Sequence, residues 1–411
     1  MFRFLVLASI LAAAFAARSY NGYQVLRVIP RSGSDLTELS VIEEKIREVV
    51  DFWKPPRSID HPVDIMVSPS YRDFVIRTIE GRGFEVQTFI EDVQKLALDQ
   101  RKRAPVSVSD GFDYEVYHTL DEINDWIDTF AASNPSLVSV EKLATSYEGR
   151  SVRALKVGAP RIITKPIVWL EGGIHAREWV SPAAMMYMTK MLVDNYGSDS
   201  DVTSMLDNFD FYMIINYNPD GYEYTWTGDR MWRKTRSNNV GRLCDGVDPN
   251  RNWDFQWGNA GTNPCADDYQ GPNAHSEIEV LQVTNYILGL NDVRVFVDFH
   301  AYSQMWLTPW GYTYRLPSDY TEQYNVARDA VNALSAVYGT SYEYGSIANT
   351  IYPASGSSVD WAYGVAGIKY SYAVELRDTG TYGFLLPTDQ IVPTAIETFE
   401  AVKVIVKAAI Y

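Results

Sequence analysis

His175 and Glu178 lie three residues apart in the stretch Glu171-Gly-Gly-Ile-His-Ala-Arg-Glu-Trp-Val-Ser-Pro182. A neutral imidazole and a carboxylate at that separation can both reach one divalent cation, and zinc takes this pair of donors. His-x-x-Glu also describes ordinary solvated loop residues, so chemistry requires a third ligand, a base and a use for Arg177. Two apolar runs offer candidates at their ends: Val293-Arg-Val-Phe-Val-Asp-Phe-His300 and Ile368-Lys-Tyr-Ser-Tyr-Ala-Val-Glu375.

The elements that must position these residues can be read from periodicity and punctuation. Pro166 to Leu170 is a continuous apolar run and reads as a buried strand ending at paired glycines. Ser181-Pro182 then reads as a helix start, a capping hydroxyl followed by proline, and the helix runs to about Asn195. Thr119-Leu-Asp-Glu122 is a capping box, with Ile123, Trp126, Ile127 and Phe130 on one helical face. Further strands are expected at 152–157 and 211–216, and helices at 276–288, 322–338 and from Pro393 to the end. Residues 218–271, rich in Asn, Gly, Asp and Trp, read as long loops. Alternating strands and helices predict an α/β fold, a mixed twisted sheet covered by helices on both faces. Ligands of such sheets bind beyond the carboxyl ends of the strands, where His175, His300 and Glu375 all fall.

Residues 18–100 read differently. Short strands at 23–29, 63–67 and 84–89 alternate with helices at 36–52 and 71–80 and a last helix from about Glu91. This pattern predicts a small α+β unit with an antiparallel sheet. It runs into Arg101-Lys102-Arg103-Ala104, a basic cluster between two differently charged segments, which reads as a processing site. Residues 1–103 carry 15 basic and 14 acidic side chains, and the remainder 21 basic and 38 acidic. The net charge of −16 opposes nucleic acid and anionic membranes as partners. Met1-Phe2-Arg3, an apolar run and Ala14-Phe15-Ala16 form a secretory leader, residues 1–16, so export is expected. The only two cysteines, Cys244 and Cys265, then read as one disulfide closing a loop of about twenty residues, with a stabilisation of about 3 kcal/mol.

Six motifs, taken in order, resemble the zinc metallocarboxypeptidases of the pancreatic carboxypeptidase A/B family. They are His175-Ala-Arg-Glu-Trp179, Trp232-Arg-Lys-Thr-Arg-Ser237, Asp248-Pro-Asn-Arg-Asn-Trp253, Thr350-Ile-Tyr352, Asp360-Trp361 and Glu375-Leu-Arg-Asp-Thr-Gly380. The resemblance implies one zinc ion per chain on His175, Glu178 and His300, with Asp248 holding the His175 ring. It implies Glu375 as the proton-transferring base and Arg233 as the stabiliser of the developing oxyanion. Arg251, aided by Asn250 and Tyr352, would take the free carboxylate of a peptide C-terminus. Arg177 and Arg230 match positions along the outer substrate path, and Tyr302 and Phe384 are further substrate-binding candidates. Val359 stands where basic-specific members carry an acid, and with Ala373, Ile347 and Ile351 it implies an apolar pocket for large aromatic or aliphatic residues. His275 departs from the pattern and reads as a surface residue at a helix start. The expectation is a secreted, monomeric zymogen: leader 1–16, propeptide 17–103 that inhibits its own catalytic domain 104–411, and an activating protease that cuts near Arg103. The alternatives are a catalytically silent zinc-binding homologue and a basic-specific B-type enzyme.

Overall fold

A computed structural model describes residues 17–102 and 111–410. The expected leader 1–16 and the expected processing residues Arg103 and Ala104 lie outside the described residues.

The N-terminal unit comprises β1 (Gln24–Val28), α1 (Gly33–Ile46), β2 (Val50–Lys54), β3 (Val63–Val67), α2 (Arg72–Glu80), β4 (Gln87–Ile90) and α3 (Val93–Asp99). Its sheet has the order β2-β3-β1-β4, antiparallel throughout. Alternate residues Leu26, Val28, Val63, Ile65 and Val67 face a core closed by Leu39, Ile42 and Ile46 of α1 and by Val75 and Ile79 of α2. Ser32 caps α1 by accepting from the Asp35 N–H.

The expected helix over 36–52 ends at Ile46, and Val50–Lys54 is a strand instead. The β-branched and aromatic residues from Val49 onward favour extended backbone, and β3 supplies the ladder. This strand also carries Trp53 and Lys54, both buried.

The larger unit begins with α4 (Leu120–Ser133), closed at its start by the Thr119–Glu122 capping box. There follow β5 (Val138–Thr145), β6 (Ser151–Val157), β7 (Ile167–Gly172), α5 (Val180–Asp194), α6 (Ser200–Asn208), β8 (Asp210–Ile214) and α7 (Pro219–Thr227). Then come α8 (Ile278–Gly289), β9 (Val293–Ala301), β10 (Met305–Thr308), α9 (Tyr320–Tyr338), β11 (Glu343–Ser346) and α10 (Ile347–Thr350). The chain ends with α11 (Ser358–Gly364), β12 (Tyr370–Leu376) and α12 (Ile391–Ala408). The eight strands form one mixed sheet in the order β11-β10-β12-β9-β7-β8-β6-β5. Its centre, β12-β9-β7-β8, is parallel.

Because side chains alternate along a strand, each central strand feeds two cores. Val168 and Leu170 join residues of α5 and α12 on one face, while Ile167 and Trp169 join residues of α8 and α11 on the other. Helices therefore cover both faces. The reversal of strand order beside β7 opens a crevice at the carboxyl ends of β7 and β9.

The 218–271 stretch contains α7, with Asn218 as N-cap and Pro219 in the first turn. β5 and β11 are the sheet edges, where polar or mixed composition hides them from a periodicity search, and β10, inside β11, is too short at four residues to show a period.

Ser181 is not the cap of α5, which starts at Val180 with Trp179 at the N-cap position. Its hydroxyl is committed to tertiary bonds, donating to Phe299 O at 2.6 Å and accepting from Gly173 N at 3.1 Å. It thus ties the His175 loop to β9. Ser181→Ala leaves two buried backbone groups unpaired, and stability should fall by about 2 kcal/mol. Chemical denaturation of the full chain checks this, and a loss below about 0.5 kcal/mol would contradict the bridging role.

Candidate active site

β7 delivers His175 and Glu178 on the loop that follows it, and β9 delivers His300 at its carboxyl end. The close approach at Gly173, where φ is +72°, lets this loop turn back over the strand ends. The three side chains are buried and converge. His175 Nδ1 lies 2.9 Å from Glu178 Oε1, and His300 Nδ1 lies 3.1 Å from both His175 Nδ1 and Glu178 Oε2. The backbone N–H of Ala301 donates to Glu178 Oε2 at 3.2 Å and fixes the carboxylate.

On their far sides both imidazoles meet carboxylates. His175 Nε2 is 3.1 Å from Asp248 Oδ1, and His300 Nε2 is 2.9 Å from Asp298 Oδ2. A proton on each Nε2 satisfies these contacts and leaves both Nδ1 lone pairs aimed at one point. Two lone pairs and a carboxylate in a buried space fit a dication, and two His with one Glu is a zinc donor set with a position left open. Burial opposes ionisation of Glu178, but the His175 and His300 imidazoles outweigh it and hold the carboxyl well below its usual range. Burial likewise opposes the Asp248 charge, which Arg233 and His175 stabilise instead.

Glu375 ends its strand in register with His300 on the neighbouring parallel strand. Burial pushes its carboxyl up to about 7, against the pull of the His300 imidazole and with the Glu178 charge adding to the rise. A bound dication acts in the opposite direction. Arg233 donates from Nη2 to Asp248 Oδ2 at 2.9 Å and holds Nη1 3.6 Å from Glu178 Oε1.

These groups share one cleft of about 1240 Å³. Arg251, Asn250 and Tyr352 line it, as do Val359, Ala373, Ile347 and Ile351. Asn250 accepts from Ser358 N at 2.8 Å, which turns its amide nitrogen toward Asp298 Oδ2 at 3.2 Å. Asp360, next to Val359, is drawn away from the cleft onto the N–H groups of Gly311 and Tyr312. Arg230 does not line the cleft in the full chain, where the end of the N-terminal unit lies against it. It is buried over the Trp179 ring and bonded to Gln100 Oε1, Arg177 O and Phe384 O. His275 is half-buried ahead of α8 and accepts from Asp254 N.

The N-terminal unit covers the outer side of the cleft. Trp53 of β2 packs edge-on against Phe384 and Tyr302, at 5.1 and 6.4 Å between ring centroids. Arg177 Nη1 lies 3.0 Å from Asp51 Oδ2 and 3.0 Å from Asp267 Oδ2. The Tyr302 hydroxyl donates to Asp64 Oδ2 at 3.0 Å, and Asp64 is also gripped by Arg27. Cys244 and Cys265 form the disulfide at the rim of the cleft.

Asp298 escaped the sequence reading. The signal was present in Asp298-Phe-His300, since residues two apart on a strand share a face.

A three-donor site at the carboxyl ends of a mixed sheet is that of a catalytic metal centre with room for substrate. A family profile described as zinc carboxypeptidase matches residues 123–401, and one described as carboxypeptidase activation peptide matches residues 26–100. Carboxypeptidase A1 of Homo sapiens is 41% identical over 98% of this chain and 97% of its own length. Carboxypeptidase B of Astacus astacus is 50% identical over 71% of this chain and 97% of its own. The crystal structure of thrombin activatable fibrinolysis inhibitor superposes with a TM-score of 0.86 at 33% identity, covering 94% of this chain and 98% of that one. The chain belongs to the zinc carboxypeptidase family. It is a zinc-dependent exopeptidase carrying its own activation peptide.

Zinc added to the metal-stripped full chain should raise its melting temperature by several degrees, since a hundredfold excess over Kd adds about 2.7 kcal/mol. His300→Ala should show no such rise. An equal rise in both would contradict the ligand assignment.

Proposed function

We propose that this chain is the precursor of a secreted carboxypeptidase that prefers C-terminal aromatic or large aliphatic residues. The observation that carries the preference is the apolar end of the cleft. Leu307, Ile347, Ile351, Val359 and Ala373 line it, and the carboxylate next to Val359, that of Asp360, is spent on backbone donors. Burying a Phe or Leu side chain there contributes roughly 1.5–3 kcal/mol, and small Ala373 leaves room for the larger rings. A Lys or Arg side chain would bury its charge unpaired.

In this reading Arg251, with its planar fork, pairs the free carboxylate of the peptide, and Tyr352 closes on the same group. Asn250 lines the same part of the cleft while its amide nitrogen is engaged by Asp298. His175, Glu178 and His300 hold the zinc, which when bound acidifies water and polarises the scissile carbonyl. Glu375 accepts the proton of the attacking water and passes it to the leaving amine. Arg233 turns Nη1, 3.6 Å from Glu178 Oε1, to the oxygen on which charge develops. Arg177 serves the outer part of the substrate path, and Arg230 supports it from behind through Arg177 O.

Residues 17–103 act as the propeptide and 104–411 as the mature enzyme, monomeric in both forms, separated by a protease cutting after Arg103. β2 and β3 of the propeptide occupy Arg177, Tyr302 and Phe384 together, so trimming uncovers all three at once. The name of the Astacus astacus relative favours a second reading, release of basic residues. The apolar floor opposes it.

The test is kcat/KM for the trimmed enzyme on matched peptides ending in Phe and in Lys. Phe should win by at least tenfold, with Val359→Asp narrowing the gap, and comparable values in the unaltered enzyme would sink the assignment of the floor. Separately, Glu375→Gln should retain zinc while turnover falls at least about a hundredfold. Near-normal turnover would transfer the proton role to another group.

A further inference from the structure

We propose that Asp298 is a positioning residue for the metal site, a second carboxylate that fixes the His300 ring as Asp248 fixes His175. The inference rests on zinc binding at His175, Glu178 and His300. Asp298 is fully buried on β9, two residues before His300 and therefore on the same face of the strand. Its Oδ2 lies 2.9 Å from His300 Nε2. The same oxygen accepts from Ser358 Oγ at 2.7 Å and from Asn250 Nδ2 at 3.2 Å. Asn250 also approaches His300 Nε2 at 3.0 Å, but its amide is already oriented by the Ser358 N–H, so it supports Asp298 as a donor. With the His300 proton held on Nε2, Nδ1 keeps its lone pair for the metal.

The two carboxylates differ in what opposes their charge. Asp248 is paired with Arg233 as well as His175. Among the described residues Asp298 has one ionic partner, His300, and otherwise only the neutral donors of Ser358 and Asn250. A buried anion aimed through an imidazole is compensated when a cation sits on the ring's other nitrogen. Asp298 therefore raises the basicity of His300 and locks its angle, and its effect is read in how tightly the metal is held.

The test uses the full chain loaded with zinc and then challenged with a chelator in excess. The unaltered protein should release zinc slowly and in a one-to-one amount. Asp298→Asn, close in shape but uncharged, should bind zinc about 10–100-fold more weakly. In the cobalt-loaded form the same variant should shift the visible absorption bands. Asp220→Asn removes another fully buried carboxylate, one bonded to Ser146 and Arg150, and should leave both readouts unchanged. If Asp298→Asn does not fold, Ser358→Ala removes the 2.7 Å donor and should speed zinc release several-fold. Zinc affinity and cobalt bands like those of the unaltered chain, in whichever variant folds, would overturn the role of Asp298 alone. Absence of zinc from the unaltered chain would overturn the metal site itself and this inference with it.

Discussion

Three electron-rich atoms held about 3 Å apart out of water repel one another unless a cation lies between them. In this protein those atoms are His175 Nδ1, His300 Nδ1 and an oxygen of Glu178, with separations of 2.9–3.1 Å. The rest of the site keeps them there. Asp248 and Asp298 turn the imidazoles, Ala301 N holds the carboxylate, and the Ser181 hydroxyl ties one ligand loop to the strand that carries the other histidine. Donor atoms assembled in this way, two imidazole lone pairs and a buried carboxylate, cost stability without metal, and zinc offsets that cost on binding.

The sheet makes the arrangement possible because parallel strands bring all their carboxyl ends to one edge. β7, β9 and β12 are neighbours, so His175, His300 and Glu375 arrive at one crevice from positions up to 200 residues apart. The N-terminal unit uses the same edge from outside. Its strand β2 lays Asp51 and Trp53 across Arg177, Tyr302 and Phe384 and leaves the buried ligands untouched. Inhibition by such a cover blocks access while the metal centre stays preformed.

The central strands and long helices were legible because buried apolar runs and 3.6-residue stripes leave strong patterns. The Thr119 capping box and the His175, His300 and Glu375 strand ends are of this kind. Edge strands β5 and β11 carry little apolar signal, β10 is four residues long, and β2 reads as the end of α1 because its two buried residues face another unit. Ser181-Pro182 imitated a helix cap, but its hydroxyl bonds across the sheet, a contact no local pattern encodes. Arg230 shows the same limit. Its motif places it along the substrate path, but no local pattern encodes its bonds to Gln100 of the N-terminal unit, where burial lowers its pKa to about 9.

Anomalous diffraction at the zinc edge from crystals of the full chain tests the account most directly. The account predicts one strong peak about 2.0–2.2 Å from His175 Nδ1, His300 Nδ1 and a Glu178 oxygen. A peak on other residues, or no peak there in crystals grown with zinc, would contradict it.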